Sequence, residues 1–398
     1  MPDTPILELK SGRERSLLRR HPWVFSGAAA RLRGDPQLGE TVEVRASDGS
    51  FLARAAYSPQ SQIRARVWTW DPAEAVDEDF FRRRLQAALE ARLHLGEAGP
   101  QSACRLVHGE SDGLPGLVVD RYAGLLVAQF LSAGPERWRE TLTGLLASLT
   151  GAERLYERSD VDVRRLEGLP ERAGPLRGLE IEERIEIREN GLRFLVDPRA
   201  GHKTGFYLDQ RLNRRLVGEL ARGRQVLDCF AYTGGFTLNA AAAGAQSVLA
   251  VDASGEALAL ARENYRLNGL PEALVEWQEG DVFHTLRALR DRGRSFDLVI
   301  LDPPKFASTA AQAERAARGY KDINLLALKL LRPGGLLATF SCSGGVSADL
   351  FQKILAGAAL DAGVQAQILY ALRQAPDHPV ALNFPEGAYL KGLVLLRG

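Results

Sequence analysis

Four aspartates stand at matching places in a run of similar segments. Asp228 closes the apolar stretch RQVLDCF, Asp252 closes SVLAVDAS, Asp281 follows ALVEWQEG, and Asp302 closes FDLVILDPP. Each apolar stretch reads as a strand and is followed by a helix-like segment (TLNAAAAGA, GEALALARENYRLNG, VFHTLRALRDRG). In open parallel sheets, ligands sit beyond the carboxyl ends of the strands, so these are the positions where side chains could do chemistry. A single aspartate after a strand can simply cap the next helix. Four in succession point instead to a ligand that offers cationic and hydrogen-bond-donating groups.

The loop after the first of these strands, Phe230-Ala231-Tyr232-Thr233-Gly234-Gly235, ends in two glycines that let backbone approach a ligand closely. It lacks the GxGxxG pattern, so a dinucleotide with a pyrophosphate to cradle is a poor fit. S-adenosylmethionine carries no phosphate and needs acidic partners. Asp228, Asp252 (with Ala253 beside it) and Asp281 suit, in that order, its ammonium, its ribose hydroxyls and its adenine amine, while Phe230, Tyr232, Thr233 and Gly234 form the loop that would lie against it.

The elements that must hold these residues follow from the rest of the chain. Alternating strand and helix from about residue 190 onward, with nearly continuous apolar strands, implies an α/β domain whose mostly parallel sheet carries helices on both faces. At 398 residues the chain suits two or three domains. Residues 1–70 are short alternating runs (TVEVRA, FLARAAYS, IRARVWTW) and read as a β-rich module with 11 Lys and Arg against 7 Asp and Glu. That modest basic excess fits phosphate contact, and a small solvated domain could also show it. Residues 75–190 mix strands and helices, including a helix over 79–96 ending at Gly96, and residues 191–398 form the α/β domain.

Composition excludes several classes. The chain is 45% hydrophobic and 25% charged with a net charge of +1, as in ordinary globular proteins. No run of 18 apolar residues suits a membrane. The opening MPDTPILELKSGRERS has no apolar core before a cleavage site, so the cytoplasm is the expected location. The three cysteines, Cys104, Cys229 and Cys342, lie far apart without a CxxC pair, and the six histidines show no ligand spacing, so neither a disulfide framework nor a metal is expected.

The segments DCFAYTGGF, VDAS, EGD, LDPPKF and FSCS resemble motifs I, II, III, IV and VI of class I methyltransferases. In order, with KTGFYLDQRLNR ahead of them and DHPV and PEGAYLKG behind, they resemble the ribosomal RNA large-subunit methyltransferase I family. RRHPWVFSGA resembles that family's PUA domain. The resemblance implies a Rossmann-like catalytic domain with a seven-stranded sheet, an N-terminal RNA-binding PUA domain and a central α/β linker domain. It implies S-adenosylmethionine as methyl donor, S-adenosylhomocysteine as product and 23S ribosomal RNA as partner; a homodimer stays open. It also implies that Phe206, Tyr207, Asp209, Gln210 and Arg211 flank the cofactor, although on residue types alone this segment could also seal a domain junction.

The family makes 5-methylcytosine, and its catalytic cysteine in motif VI matches Cys342. Addition of a thiolate to C6 of cytosine makes C5 nucleophilic, a covalent route that splits one hard step into two easier ones. Cys342 ends the apolar stretch GLLATFSC, and Asp302 at a neighbouring strand end would hydrogen-bond the base and favour protonation at N3. Pro303 and Pro304 stiffen the loop, and Lys305 would contact the base or a phosphate. Arg19 and Arg20 would grip RNA phosphate, with Trp23 and Phe25 as core. Phe306 and Tyr320 read as core, with stacking on the flipped base as the alternative. Cys104 and Cys229 read as small buried hydrophobes. Attack by a ring or exocyclic nitrogen of guanine or adenine, or a non-catalytic RNA-binding scaffold, would make Cys342 dispensable.

Overall fold

The computed structural model describes residues 4–93, 95, 101–181, 184–306 and 313–398. The chain divides into two compact units. One runs up to Ile187 and includes Val196–Leu208 and Pro376–Gly387; the other comprises Arg188–Leu195, Asp209–Ala375 and Ala388–Gly398.

The first unit begins with β1 (Ile6–Leu9), the short helix α1 (Arg15–Leu18), β2 (Trp23–Phe25), β3 (Ala29–Arg33), β4 (Thr41–Arg45), β5 (Phe51–Tyr57) and β6 (Ile63–Thr69). These strands form one sheet in the order β2-β6-β5-β4-β1-β3. Its alternating side chains bury Leu7, Leu9, Val42, Val44, Ala53, Ala55, Ala65 and Val67 on one side, as strand periodicity requires. Helix α2 (Glu78–Leu93) follows, started by the Asp77 carboxylate, which accepts from the Phe80 amide at 2.9 Å. The expected stop at Gly96 lies outside the described residues.

Next come β7 (Ala103–His108), β8 (Leu117–Tyr122), β9 (Leu125–Phe130), α3 (Ala133–Arg137), α4 (Arg139–Thr150), β10 (Arg154–Ser159), α5 (Val163–Leu166) and β11 (Arg172–Arg177). They build a five-stranded sheet ordered β11-β10-β9-β8-β7, whose core is filled by Phe80, Phe81, Leu106, Leu142 and their neighbours. The returning segment Pro376–Gly387 is pinned to this unit by charge. Asp377 is fully buried and accepts from the Arg105 amide at 3.0 Å, and its carbonyl accepts from Arg92 at 3.2 Å. His378 is buried beside it, 2.9 Å from the Asp377 carboxylate.

The second unit opens on the tip of a hairpin, β12 (Ile185–Glu189) and β13 (Leu192–Val196), and then α6 (Arg211–Leu220). The hairpin is locked by the Leu195 and Arg193 amides donating to Asn264 and Asn268 side chains at 2.7 and 2.8 Å, and by the buried pair of Glu189 and Arg214 at 2.6 Å. The α/β repeat follows: β14 (Gln225–Cys229), α7 (Gly235–Ala242), β15 (Ser247–Asp252), α8 (Gly255–Leu267), β16 (Val275–Glu279), α9 (Val282–Asp291), β17 (Phe296–Leu301), α10 (Ala313–Leu330), β18 (Leu331–Ser341), α11 (Ala348–Ala362), β19 (Ala366–Arg373) and β20 (Lys391–Arg397).

The sheet order is β16-β15-β14-β17-β18-β20-β19, with β16 to β18 parallel and β20 inserted antiparallel between β18 and β19. Successive residues of Leu227–Cys229, Val248–Val251 and Leu298–Leu301 are all buried. Neighbouring strand residues point to opposite faces, so both faces of the sheet are covered. Strand and helix thus fall where the apolar periodicity puts them. Among the described residues no helix is long and apolar enough to cross a membrane, and no group of three His, Cys, Asp or Glu is placed to hold a metal.

Candidate active site

Parallel pairing carries β14, β15 and β17 to a common end, and the loops leaving that end carry the acids. Asp228 is fully buried, with the Thr237 hydroxyl donating to one oxygen at 2.6 Å. Its other oxygen is buried without a hydrogen-bond partner, as is the Thr233 hydroxyl. Burial pushes the Asp228 carboxyl up to about 7; the Thr237 bond opposes this, and the nearby Asp302 and Asp252 carboxylates add to it. Asp252 organises the loop: its two oxygens accept from the Tyr232 and Ser254 amides, each at 2.8 Å. Phe230 and Tyr232 hold φ of 64° and 49°, a conformation costly for non-glycine residues and kept only where surroundings enforce it. Gly234 has φ 83°, and a Cβ there would stand 2.8 Å from Leu238. Glycine is favoured at that point.

The neighbouring strand ends carry the second group of residues. Register pairs Leu301 with Thr339 and Ser341 with Lys391. Asp302 therefore leaves β17, and Cys342 leaves β18, at the same edge of adjacent parallel strands. The Ser343 hydroxyl joins the two loops, accepting from the Phe306 amide at 3.1 Å and bonding the Tyr320 hydroxyl at 2.9 Å. Gln210 donates to the Asp302 carboxylate at 3.0 Å and is itself held by Asn213 at 2.7 Å, so a relay of amides sets the orientation of that acid. Lys391 donates to the Ser343 carbonyl at 2.8 Å. Burial pushes its ammonium down to about 8, with Cys342 opposing the shift and Lys305 adding to it.

Cys342 is partly exposed, whereas Cys104 and Cys229 are buried. Burial, with Asp228 alongside, drives the Cys229 thiol well above its ordinary value. A thiol held protonated is a poor nucleophile. Of the three cysteines, Cys342 alone meets both requirements of access and a cationic neighbour.

Other expected residues fall as follows. Asp281 caps α9, accepting from the His284 amide at 2.9 Å, and Ala253 is exposed at the end of β15. Asp209 is buried and accepts from the Tyr389 hydroxyl at 2.6 Å, and Arg211 is buried at the start of α6. Pro303 is buried, while Pro304 and Lys305 are exposed. Phe306 packs on Tyr320 with ring centres 4.7 Å apart, and Tyr320 is core. Phe206, Tyr207 and Arg20 belong to the first unit. There Phe206 is buried and its amide donates to Tyr122, and Tyr207 lies 3.2 Å from His202. Arg20 is exposed, with its guanidinium 5.4 Å over the Trp70 ring. Thr237, Asn213, Ser343 and Lys391 hold the site together; the last three lie inside motifs that the resemblance picks out, but the sequence assigns none of the four a role.

Three carboxylates at adjoining strand ends, one with an orphaned buried oxygen and a raised affinity for protons, suit a cationic ligand and repel a phosphate. S-adenosylmethionine, with its sulfonium and ammonium, fits that donor set. A family model of S-adenosylmethionine-dependent methyltransferases matches residues 104–381, and one of PUA-like domains matches residues 7–70. Ribosomal RNA large subunit methyltransferase I of Shewanella amazonensis is 55% identical over 388 residues, covering 98% of each chain. Its namesake in Aeromonas salmonicida is 54% identical over 390 residues, again 98% of each.

The chain belongs to the ribosomal RNA large subunit methyltransferase I family. S-adenosylmethionine is accordingly its methyl donor. Among solved structures, a putative methyltransferase of Streptococcus mutans shares the fold with a TM-score of 0.84 at 22% identity, covering 98% of this chain and 99% of that one. A putative methyltransferase complexed with SAH aligns with the same score, identity and coverage.

Proposed function

We propose that the chain methylates C5 of a cytosine in 23S ribosomal RNA, in the cytoplasm, through a covalent adduct between Cys342 and C6. The names of its relatives support ribosomal RNA of the large subunit as the substrate. The observation that carries the chemistry is the placement of Asp302 and Cys342 at one edge of adjacent parallel strands, with Ser343 bridging their loops. The PUA-like region, residues 7–70, with exposed Arg19 and Arg20, would hold RNA, and residues 75–190 would link it to the catalytic domain 191–398.

In this reading the Cys342 thiolate forms a bond to C6, and the C5=C6 pair shifts to C5. Asp302, oriented by Gln210, hydrogen-bonds the base edge and favours the proton at N3 that balances the developing charge. The donor supplies a methyl group bound to a sulfonium, open to attack by that carbon. Loss of the C5 proton to a base then restores the double bond and expels the thiolate. Asp228 would hold the donor's ammonium, and Asp252 its ribose, with Asp281 at the adenine and Phe230, Tyr232, Thr233 and Gly234 lining the loop. Phe206, Tyr207, Asp209, Gln210, Arg211, Ala253 and Asp302 complete the proposed cofactor set, and Pro303, Lys305 and Arg20 the substrate set. The base must leave its stack to reach the thiol.

Full-length protein incubated with ribosomal RNA and isotopically labelled S-adenosylmethionine should yield labelled 5-methylcytidine on nuclease digestion and mass spectrometry. Cys342→Ala should yield none. Wild-type turnover by that variant, or label on a purine nitrogen, would refute the reading.

A further inference from the structure

Strand β20 reaches the site from a distant part of the sequence. It pairs antiparallel with β18, and Lys391 stands directly opposite Ser341, one residue before the thiol. The lysine is half-buried and its ammonium is fixed by donating to the Ser343 carbonyl at 2.8 Å, one residue after the thiol. Cys342 is thus flanked in sequence by the two residues that locate this cation. The nitrogen and the sulfur interact electrostatically, and Lys305 faces the same place from the loop after β17. Tyr320 from α10 also senses the sulfur, and Asp302 lies at the adjoining strand end. Among the described residues, Lys391 and Tyr320 interact with this thiol, Lys305 interacts with Lys391, and Asp302 lies at the adjoining strand end. Of these, Lys391 is the cation anchored by both a strand register and a hydrogen bond.

We propose that Lys391 is a positioning residue that sets the ionisation of Cys342, holding an ammonium against the sulfur so that the nucleophile stands as thiolate before RNA arrives. A fixed positive charge beside a thiol favours its ionised form. The interaction is reciprocal: burial alone draws the lysine toward neutrality, and the thiolate keeps it charged. The bond to the Ser343 carbonyl places the charge, and β20 supplies the rigid support. When the sulfur adds to C6 its negative charge passes to the base, and the ammonium is left near the adduct.

The proposal rests on Cys342 being the nucleophile, but its test needs neither RNA nor methyl donor. Full-length protein is treated with iodoacetamide across pH 5.5–10 (a range of about that width brackets the ordinary thiol value), and modification at Cys342 is followed by peptide mass spectrometry. Cys104 and Cys229, 3% and 0% exposed, should react far more slowly. Removing the charge in Lys391→Met should move the midpoint of the profile up by about one pH unit, and Lys391→Gln, which keeps a donor for Ser343, should do the same. Lys391→Arg should return it toward the wild-type midpoint. The midpoint is the readout because a thiol of higher pKa is also intrinsically more nucleophilic, which partly offsets the lost thiolate at pH 7. An unchanged midpoint in the Gln variant overturns the proposal, whatever the Met variant does, because it assigns the effect to the hydrogen bond. A shifted midpoint together with unmethylated cytosine would instead spare this inference and sink the cytosine reaction.

Discussion

Asp228→Asn should make the protein more stable in the absence of methyl donor while removing its affinity for that donor. The buried carboxyl has its pKa pushed from 3.8 up to about 7, first by burial and then by its acidic neighbours. The folded state therefore holds this proton more tightly than the unfolded chain. The stability it contributes is complete below pH 3.8, is lost as pH rises through about 7, and is flat beyond. At about 1.4 kcal/mol per pH unit of that gap, ionising the site in the folded protein costs roughly 4 kcal/mol. Asparagine keeps the shape and the acceptor for Thr237 but cannot ionise. Between pH 5 and pH 8 the stability advantage of the variant should widen by about 2–3 kcal/mol, or roughly 5–10 °C in melting temperature for a domain of this size. Thermal melts of both proteins across that range measure the gap. Calorimetry with S-adenosylmethionine should show wild-type binding that releases a proton near pH 7 and no heat from the variant. A melting-temperature gap that stays constant with pH would refute the argument, since it would mean the carboxyl ionises normally inside the fold.

Two further expectations come from the same geometry. Ser343→Ala removes the oxygen that serves both the Phe306 amide and the Tyr320 hydroxyl; it should cost about 1–3 kcal/mol in urea unfolding for the polar groups left unmatched and lower turnover more than it weakens donor binding. A smaller loss in turnover than in affinity would contradict the bridging role. Arg214→Met leaves Glu189 buried without its 2.6 Å partner and should destabilise by about 3–5 kcal/mol, with the double variant Arg214→Met/Glu189→Leu recovering much of the loss. Additive losses in the double variant would show that the pair is not coupled.

How far the sequence discloses this site depends on which forces place each residue. Asp228, Asp252 and Asp302 were legible because strand ends follow from local apolar periodicity and the position of ligands at the carboxyl edge follows from parallel topology. Asp281 was legible too, yet its side chain caps α9, the bland alternative for any aspartate after a strand. Gln210 belongs by resemblance to the proposed cofactor set, and its amide donates to Asp302, 92 residues away. No spacing rule announces a contact of that range; it depends on how α6 lies against the sheet. The same holds for Thr237 and Ser343, whose roles come from tertiary hydrogen bonds rather than from position in a repeat.

Lys391 shows where sequence reading stops and what could have extended it. Chain order would put β20 at the sheet edge, but the strand inserts antiparallel between β18 and β19. That single crossing carries a lysine opposite Ser341, although 49 positions separate it from Cys342. A compositional signal was present: only seven of the 51 cationic side chains are lysines. Some of the seven, such as Lys353 in its exposed pair with Asp349, stand where arginine could replace them, whereas Lys391 is half-buried at the site. Arginine keeps its charge under any burial, whereas lysine yields its proton as its surroundings change. Lys391 interacts with the nucleophile, and Lys305 interacts with Lys391. A site that must first stabilise a thiolate and then lose that charge to the substrate needs a cation whose own ionisation can follow, and lysine is the side chain with that property.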